Sequence, residues 1–230
     1  MKLKDFFLLK RKFDKEITNK ILKEIKCYPS LLNDTIFSKF SNEYPKYCNL
    51  SRKHPANKII KNFVEKDLIS KLINETGQKF WVNKFVEIHS YFEADNSLSL
   101  HQDNYGWNIT EGLAFSSLIY LGNNTSCFPL AFYPSYGKKY LKHTYSEVKG
   151  YSSQIENQKQ LDETKIICPV YEPGDVTFHS HLLPHGPNMN YKGSSYGDVF
   201  LRIVFFSDDL KQNKDLIKEN QKRILANRKP

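Results

Sequence analysis

The chain lacks any apolar run of about 18 residues, so no segment of it reads as a membrane-spanning helix. It also lacks the apolar core of a signal peptide, since Phe6-Phe7-Leu8-Leu9 is followed at once by Lys10, Arg11 and Lys12. Cysteine is scarce: Cys27, Cys48, Cys127 and Cys168 are widely scattered and have no metal-ligand spacing. They read as reduced thiols of a cytoplasmic protein, not as a disulfide framework or a zinc site. No internal repeat is visible. Neither an RNA-binding aromatic motif nor zinc-finger spacing accompanies the basic residues.

Those basic residues sit at the ends. The net charge is +9, of which residues 1–26 carry +5 and residues 208–230 carry +3, leaving the long middle nearly neutral. Basic helical ends are more often solvated faces than binding sites, so this distribution argues against a nucleic-acid partner. Aromatics are abundant instead, with sixteen Phe and fourteen Tyr, which suits a β-rich core around a lined pocket. A chain of 230 residues buries a substantial core and is expected to form a single domain.

Periodicity divides the chain in outline. Ile17, Ile21, Leu22 and Ile25 mark one face of a first helix, and a second is expected from Ala56 to Thr76, stopped by Gly77. Residues 28–55 show no period and read as irregular, placed over the site. Strands are expected from Trp81 to Phe92 and near 98–103, 112–121, 128–133, 165–171, 175–179, 182–186 and 199–206. Residues 135–163 are polar and read as an insertion, and Leu210 to Ala226 as a closing helix. The expected plan is helical to about residue 77, a β core over about 80–207, and a helical tail over 208–230. Many short strands after two helices point to a mainly β fold with flanking helices, a jelly-roll or double-stranded β-helix of cupin-like form.

The chemistry concentrates in two segments. In a strand, residues two apart share a face, so His101 and Asp103 of His101-Gln102-Asp103 can reach one metal ion. A second imidazole from another strand completes two nitrogens and one carboxylate, the facial triad of non-haem Fe(II) oxygenases, with about three coordination positions left open. Downstream, Pro173-Gly174-Asp175 reads as a tight turn into the strand Val176-Thr177-Phe178, followed by His179, His181 and His185. His185 is favoured as third ligand by its place before the Gly186-Pro187 turn. His179 and His181, two apart, form a competing His-x-His pair. Arg202 interrupts the apolar run Val199 to Phe206, where a guanidinium either snorkels to solvent or binds a carboxylate bidentately. His54, His89 and His143 read as surface or packing residues.

These segments resemble the Fe(II)/2-oxoglutarate-dependent dioxygenases, above all their phytanoyl-CoA dioxygenase branch. The likeness rests on His101-Gln102-Asp103, Ser117-Leu118-Ile119-Tyr120-Leu121, Gly174-Asp175, His185-Gly186-Pro187-Asn188 and Arg202, over roughly residues 85 to 207. The family's interval of eleven positions from its Gly-Asp turn to the metal-binding His-Gly is kept from Gly174 to His185. Two departures stand out: Pro134-Ser135-Tyr136-Gly137 replaces the family's Pro-Gly-Ser-His, and residues 190–197 lengthen the gap before Arg202. A hairpin loop absorbs such length at little cost.

The resemblance implies Fe(II) on His101, Asp103 and His185, 2-oxoglutarate as co-substrate with its far carboxylate on Arg202, and O₂. It implies hydroxylation of an unactivated C–H bond of a small molecule with release of succinate and CO₂; related halogenases carry a small residue where Asp103 stands. Desaturation and ring formation stay open. Asn104, Tyr105, Trp107 and His181 are candidate substrate residues, with Trp81 and Tyr91 as further rim candidates. Three rival readings are a cupin-type metalloprotein on His101, His179 and His181 that uses no 2-oxoglutarate, an oxygenase of protein or nucleic acid, and a non-catalytic binding module. The sequence carries no signal for oligomeric state.

Overall fold

The computed structural model describes residues 5–10, 12–36, 47–91, 99–122, 126–127, 129–134, 139–145, 153–161, 163–188 and 198–228. In chain order the strands are β1 (Phe6–Leu9), β2 (Leu32–Ile36), β3 (Tyr47–Leu50), β4 (Phe80–Tyr91), β5 (Ile109–Glu111), β6 (Ala114–Tyr120), β7 (Ser126–Cys127) and β8 (Leu130–Phe132). They continue with β9 (His143–Thr144), β10 (Gln154–Ile155), β11 (Val170–Tyr171), β12 (Val176–Ser180), β13 (His185–Pro187), β14 (Asp198–Ser207) and β15 (Lys211–Gln212). The helices are α1 (Lys15–Cys27), α2 (Ala56–Phe63), α3 (Ile69–Thr76), α4 (Asn104–Trp107) and α5 (Lys214–Arg228).

The two expected N-terminal helices form where their apolar periods place them. Asp14 caps α1 by accepting from the backbone N–H of Glu16 and Ile17 at 2.9 and 3.1 Å, and Ile21, Leu22 and Ile25 are buried. The course from Ala56 to Thr76 is α2 and α3 joined by a π-helical turn, Val64–Leu68. Gly77 ends it at φ 74°, donating to the Ile73 carbonyl at 2.7 Å.

Seven strands make one antiparallel sheet in the order β1-β12-β6-β14-β4-β3-β2. Its central strand β14 is apolar on both faces because both are covered. Val199, Leu201, Ile203 and Phe205 join Ile21, Ile25, Leu68 and Leu72 on the helical side, while Phe200 packs with Leu118, Tyr120 and Phe132 inside. Opposite lies a layer of short pairs: β13 on β8, β11 on β7, and single bridges from His101 to His185 and from Phe132 to Ile167. Two antiparallel layers closed around an apolar interior are the double-stranded β-helix expected from the strand pattern. No helix among the described residues is long and apolar enough to cross a membrane.

Three expectations are corrected. Residues 28–55 are not uniformly irregular: β2 and β3 extend the sheet beyond β4, while residues 37–46 lie outside those described. Residues 99–103 are not a strand, since His101 makes one bridge before the chain turns into α4. Phe6–Leu9 forms the edge strand β1, because its apolar side chains cover β12 and the interior. Within the polar stretch read as an insertion, Leu141, Ile155 and Leu161 pack on Leu100 beside the first histidine.

The turn entering β12 depends on Gly174, at φ 86° with its carbonyl accepting from Phe13 N–H at 3.1 Å. A Cβ there would lie 1.8 Å from the Phe13 carbonyl oxygen. Buried Asp175 closes the turn by accepting from Glu172 N–H at 3.0 Å and from Lys10 Nζ at 2.7 Å. Gly174→Ala is therefore expected to cost about 2 kcal/mol or more, lowering Tm by roughly 5 °C, because left-handed backbone and a steric clash add. A calorimetric melt unchanged from wild type would contradict this account of the turn.

Candidate active site

His101 and His185 form a narrow antiparallel pair that exchanges both backbone hydrogen bonds, N–H to carbonyl, each at 2.9 Å. Their rings end up 4.4 Å apart between centroids. Gly186 permits this closeness: a Cβ at that position would come within 3.0 Å of Leu100 Cδ1 and 3.1 Å of Leu100 Cα. Asp103 arrives by another route. It opens α4 in helical conformation, φ −56° and ψ −28°, so a turn and not strand alternation brings it beside His101.

Each imidazole is oriented by a carbonyl. His101 Nδ1–H donates to Ser99 O at 2.7 Å and His185 Nδ1–H to Leu183 O at 3.0 Å, which leaves Nε2 of both as the lone-pair nitrogen. Burial, and then the neighbouring histidines, push both down to about 4, so they are neutral near pH 7. Burial opposes ionisation of Asp103, but the Arg202 charge and His179 outweigh it and hold the carboxyl well below its usual range. The donor atoms of His101, Asp103 and His185 lie within 4.8 Å of one another, the one group among the described residues that could hold a metal ion in this way. Two neutral imidazoles and one carboxylate fit Fe(II) with open positions better than an all-oxygen Mg²⁺ cage or a four-ligand zinc site.

Arg202 is not apart from these ligands. Nη1 donates to Glu87 Oε2 at 2.8 Å, and Nη2 donates to Asp103 Oδ1 at 3.1 Å and Ser116 Oγ at 3.0 Å. Ser116 in turn donates to Asp103 Oδ2 at 2.7 Å. The Trp107 ring stands 5.5 Å from the guanidinium carbon. Burial opposes the charge of Glu87, yet Arg202 and His89 hold it at about 2. The guanidinium thus lies inside the fold, held by two carboxylates, and does not snorkel.

Of the other expected site residues, Asn104 is spent on local structure, accepting from Ile109 N–H at 2.9 Å. Tyr105 lies against His143, 5.4 Å between ring centroids, and Trp107 packs edge-on against Phe206. His181 is buried with Nδ1 3.3 Å from the backbone N and O of Ala114, away from the donor group, and His179 is likewise outside it. Trp81 is 46 % exposed and packs on Phe206, while the Tyr91 side chain lies outside the described residues.

Sequence reasoning missed Glu87, Ser116, Gln102 and His143. Gln102 is fully buried; its backbone N–H donates to His143 Nε2 at 3.1 Å, its side chain donates to Lys139 O and Leu182 O, and its Oε1 accepts from Leu141 N–H at 2.8 Å. His143, expected as a surface or packing residue, therefore helps to fix the loop between two donor residues. Glu87 left one signal, a lone acid in an apolar strand sequence.

His101, His143 and His185 each titrate at about 4 in the folded chain, chiefly because they are buried. The unfolded chain takes up those protons near pH 6.5, so metal-free stability is full above that value. It is expected to fall by up to about 1.4 kcal/mol per pH unit for each histidine as pH drops toward 4. Thermal melts of the metal-free protein across that window measure it; a flat Tm would contradict neutral burial.

The sequence matches no family model and no curated protein. Solved structures do resemble it. EctD from S. alaskensis in its apoform superposes with a TM-score of 0.68 at 14 % identity, over 93 % of this chain and 77 % of that one. The epimerase SnoN, in complex with Fe³⁺, alpha-ketoglutarate and nogalamycin RO, gives 0.66 at 12 % identity over 95 % and 85 %. EvdO2 from Micromonospora carbonacea var. aurantiaca, complexed with 2-oxoglutarate, gives 0.62 at 13 % identity over 93 % and 90 %. The strand order, the two-layer barrel and these likenesses agree: this chain has the double-stranded β-helix fold of the non-haem 2-oxoglutarate-dependent enzymes.

Proposed function

We propose that the protein is an Fe(II)- and 2-oxoglutarate-dependent oxygenase that hydroxylates an unactivated C–H bond of a small molecule, acting in the cytoplasm. The carrying observation is the donor group itself, two neutral imidazoles and a carboxylate within 4.8 Å of one another on a barrel of this fold. The phytanoyl-CoA dioxygenase-like reading of the sequence is compatible with it. His101, Asp103 and His185 would hold the metal; bound iron with 2-oxoglutarate and O₂ supplies the oxidising chemistry and releases succinate and CO₂.

The remaining work belongs to the chain. The carbonyls of Ser99 and Leu183 fix the imidazole tautomers, so no proton has to leave a ring before metal binding. Arg202 keeps Asp103 ionised, and its fork, which here donates to Glu87, Asp103 and Ser116, would take the far carboxylate of 2-oxoglutarate by sharing or exchanging those contacts. Glu87 steadies that fork from the other side. Trp107 and Phe206 give an apolar wall beside it, which excludes water and suits the carbon skeleton of a substrate. Among the candidate substrate residues, Trp107 is supported by its ring facing the Arg202 guanidinium at 5.5 Å. EctD has been solved with 2-oxoglutarate and 5-hydroxyectoine, and SnoN with nogalamycin RO, so small molecules occupy other barrels of this fold.

Anaerobic titration with Fe(II) and then 2-oxoglutarate is expected to show one site for each, and a metabolite screen to show substrate-dependent succinate. Arg202→Lys keeps the charge beside Asp103 but removes the fork. Affinity for 2-oxoglutarate is expected to fall about tenfold, or ~1.4 kcal/mol, with iron affinity within roughly threefold of wild type. Unchanged 2-oxoglutarate affinity would place the anchor elsewhere. Failure of the wild-type, iron-loaded protein to bind 2-oxoglutarate would remove the oxygenase assignment.

A further inference from the structure

His179 is the one histidine of the chain with neither ring nitrogen in a hydrogen bond. The other six each engage at least one: His54 with Ala56, His89 with Glu87, His101 with Ser99, His143 with Leu141 and Gln102, His181 with Ala114, and His185 with Leu183. His179 is 1 % exposed, and among the described residues neither Nδ1 nor Nε2, both buried, makes a hydrogen bond. Its neighbours explain why. Aligned with Ser116 of β6 on one side and Phe6 of β1 on the other, it points into the barrel. There its ring meets those of His185 at 4.6 Å and Phe132 at 5.3 Å. Nε2 stands 3.4 Å from Asp103 Oδ2, without the alignment of a hydrogen bond, and that oxygen already accepts from Ser116.

A buried polar group without a hydrogen bond is unfavourable, and an apolar side chain between Phe132 and β1 would avoid that cost. The fold therefore carries a buried imidazole that makes no hydrogen bond among the described residues, beside the Asp103 carboxylate that it helps to keep ionised. His179 is not itself part of that group, since its nitrogens fall outside the 4.8 Å set. Asp103 separates it from the arginine: Arg202 takes Oδ1, and His179 faces Oδ2. A neutral imidazole there has one N–H to give to an oxygen anion bound beside Asp103, on a different side from the guanidinium.

Building on the proposed co-substrate, we infer that His179 is a binding residue for its 2-oxo-acid end, donating a hydrogen bond to an oxygen of that group while Arg202 holds the far carboxylate. The two residues then divide one dicarboxylate between β12 and β14. This assigns different ligand preferences to two substitutions. Loss of His179 weakens any 2-oxo acid, whereas loss of the Arg202 fork weakens only those with a second carboxylate.

The test uses the full chain loaded anaerobically with Fe(II), with pyruvate and 2-oxoglutarate as probes and the metal-to-ligand charge-transfer absorption as readout. His179→Leu and His179→Phe both remove the donor, the latter keeping ring volume beside Phe132 should the smaller side chain fail to fold. Each is expected to retain iron affinity within roughly threefold and to lose about tenfold in affinity for both probes, the loss of one hydrogen bond to a charged group. His179→Gln, which restores a donor, recovers much of that loss. Arg202→Lys weakens 2-oxoglutarate and spares pyruvate. Equal 2-oxo-acid affinity in wild type and the folded apolar variants overturns the inference, as does loss of iron itself, which would make His179 a ligand. A wild-type protein that takes iron but neither probe overturns the co-substrate assignment instead, a separate result.

Discussion

Two backbone hydrogen bonds between His101 and His185, each 2.9 Å, are the constraint from which the rest of the site follows. They join segments 84 positions apart in the sequence, and they are the only strand-like contact His101 makes among the described residues. A narrow antiparallel pair sets adjacent side chains on one face at close range, so the imidazoles meet without either residue occupying a long strand. Gly186 and Leu100 make the approach sterically possible, and Leu141, Ile155 and Leu161 cover Leu100 from behind. The polar stretch after residue 135 thus supports the site at one remove.

The second organising element is electrostatic. Glu87, Arg202 and Asp103 form a partly buried acid–base–acid row, and leaving any one of them unpaired there would be unfavourable. One guanidinium holds two carboxylates ionised. It thereby keeps a fixed negative charge within the candidate donor group and a cation beside it. Arg202 is therefore tied both to the candidate donor group and to the proposed co-substrate.

The interior is divided by polarity. Leu118, Tyr120, Leu130, Phe132, Tyr171, Leu183 and Phe200 fill one region of the barrel, and the histidines, Asp103, Ser116 and Arg202 occupy the other. Phe132 touches both His179 and His185 and so marks the boundary. A polar centre backed by an apolar floor limits water and strengthens each charge interaction within it.

The sequence by itself placed the helices at Lys15–Cys27 and along Ala56–Thr76, the strands β4, β6, β12 and β14, the left-handed Gly174 turn, and the candidate His-Asp-His set. The elements rest on local information, an apolar period or a glycine, whereas the choice of His185 rests on the interval from Gly174 that the family resemblance supplies. Tertiary structure alone decided the rest. Glu87 faces Arg202 from 115 positions away, Ser116 reaches Asp103, and His143 holds Gln102, because sheet register and barrel closure choose these neighbours. The segment Ser99 to Asp103 shows the division within five residues. Its sequence alternates as a strand would, yet only His101 finds a partner strand, and the buried side chain of Gln102 and the start of α4 set the direction of Asp103. Residue type fixes which chemistry a chain can carry, while the long-range pairing of strands fixes which of those residues meet.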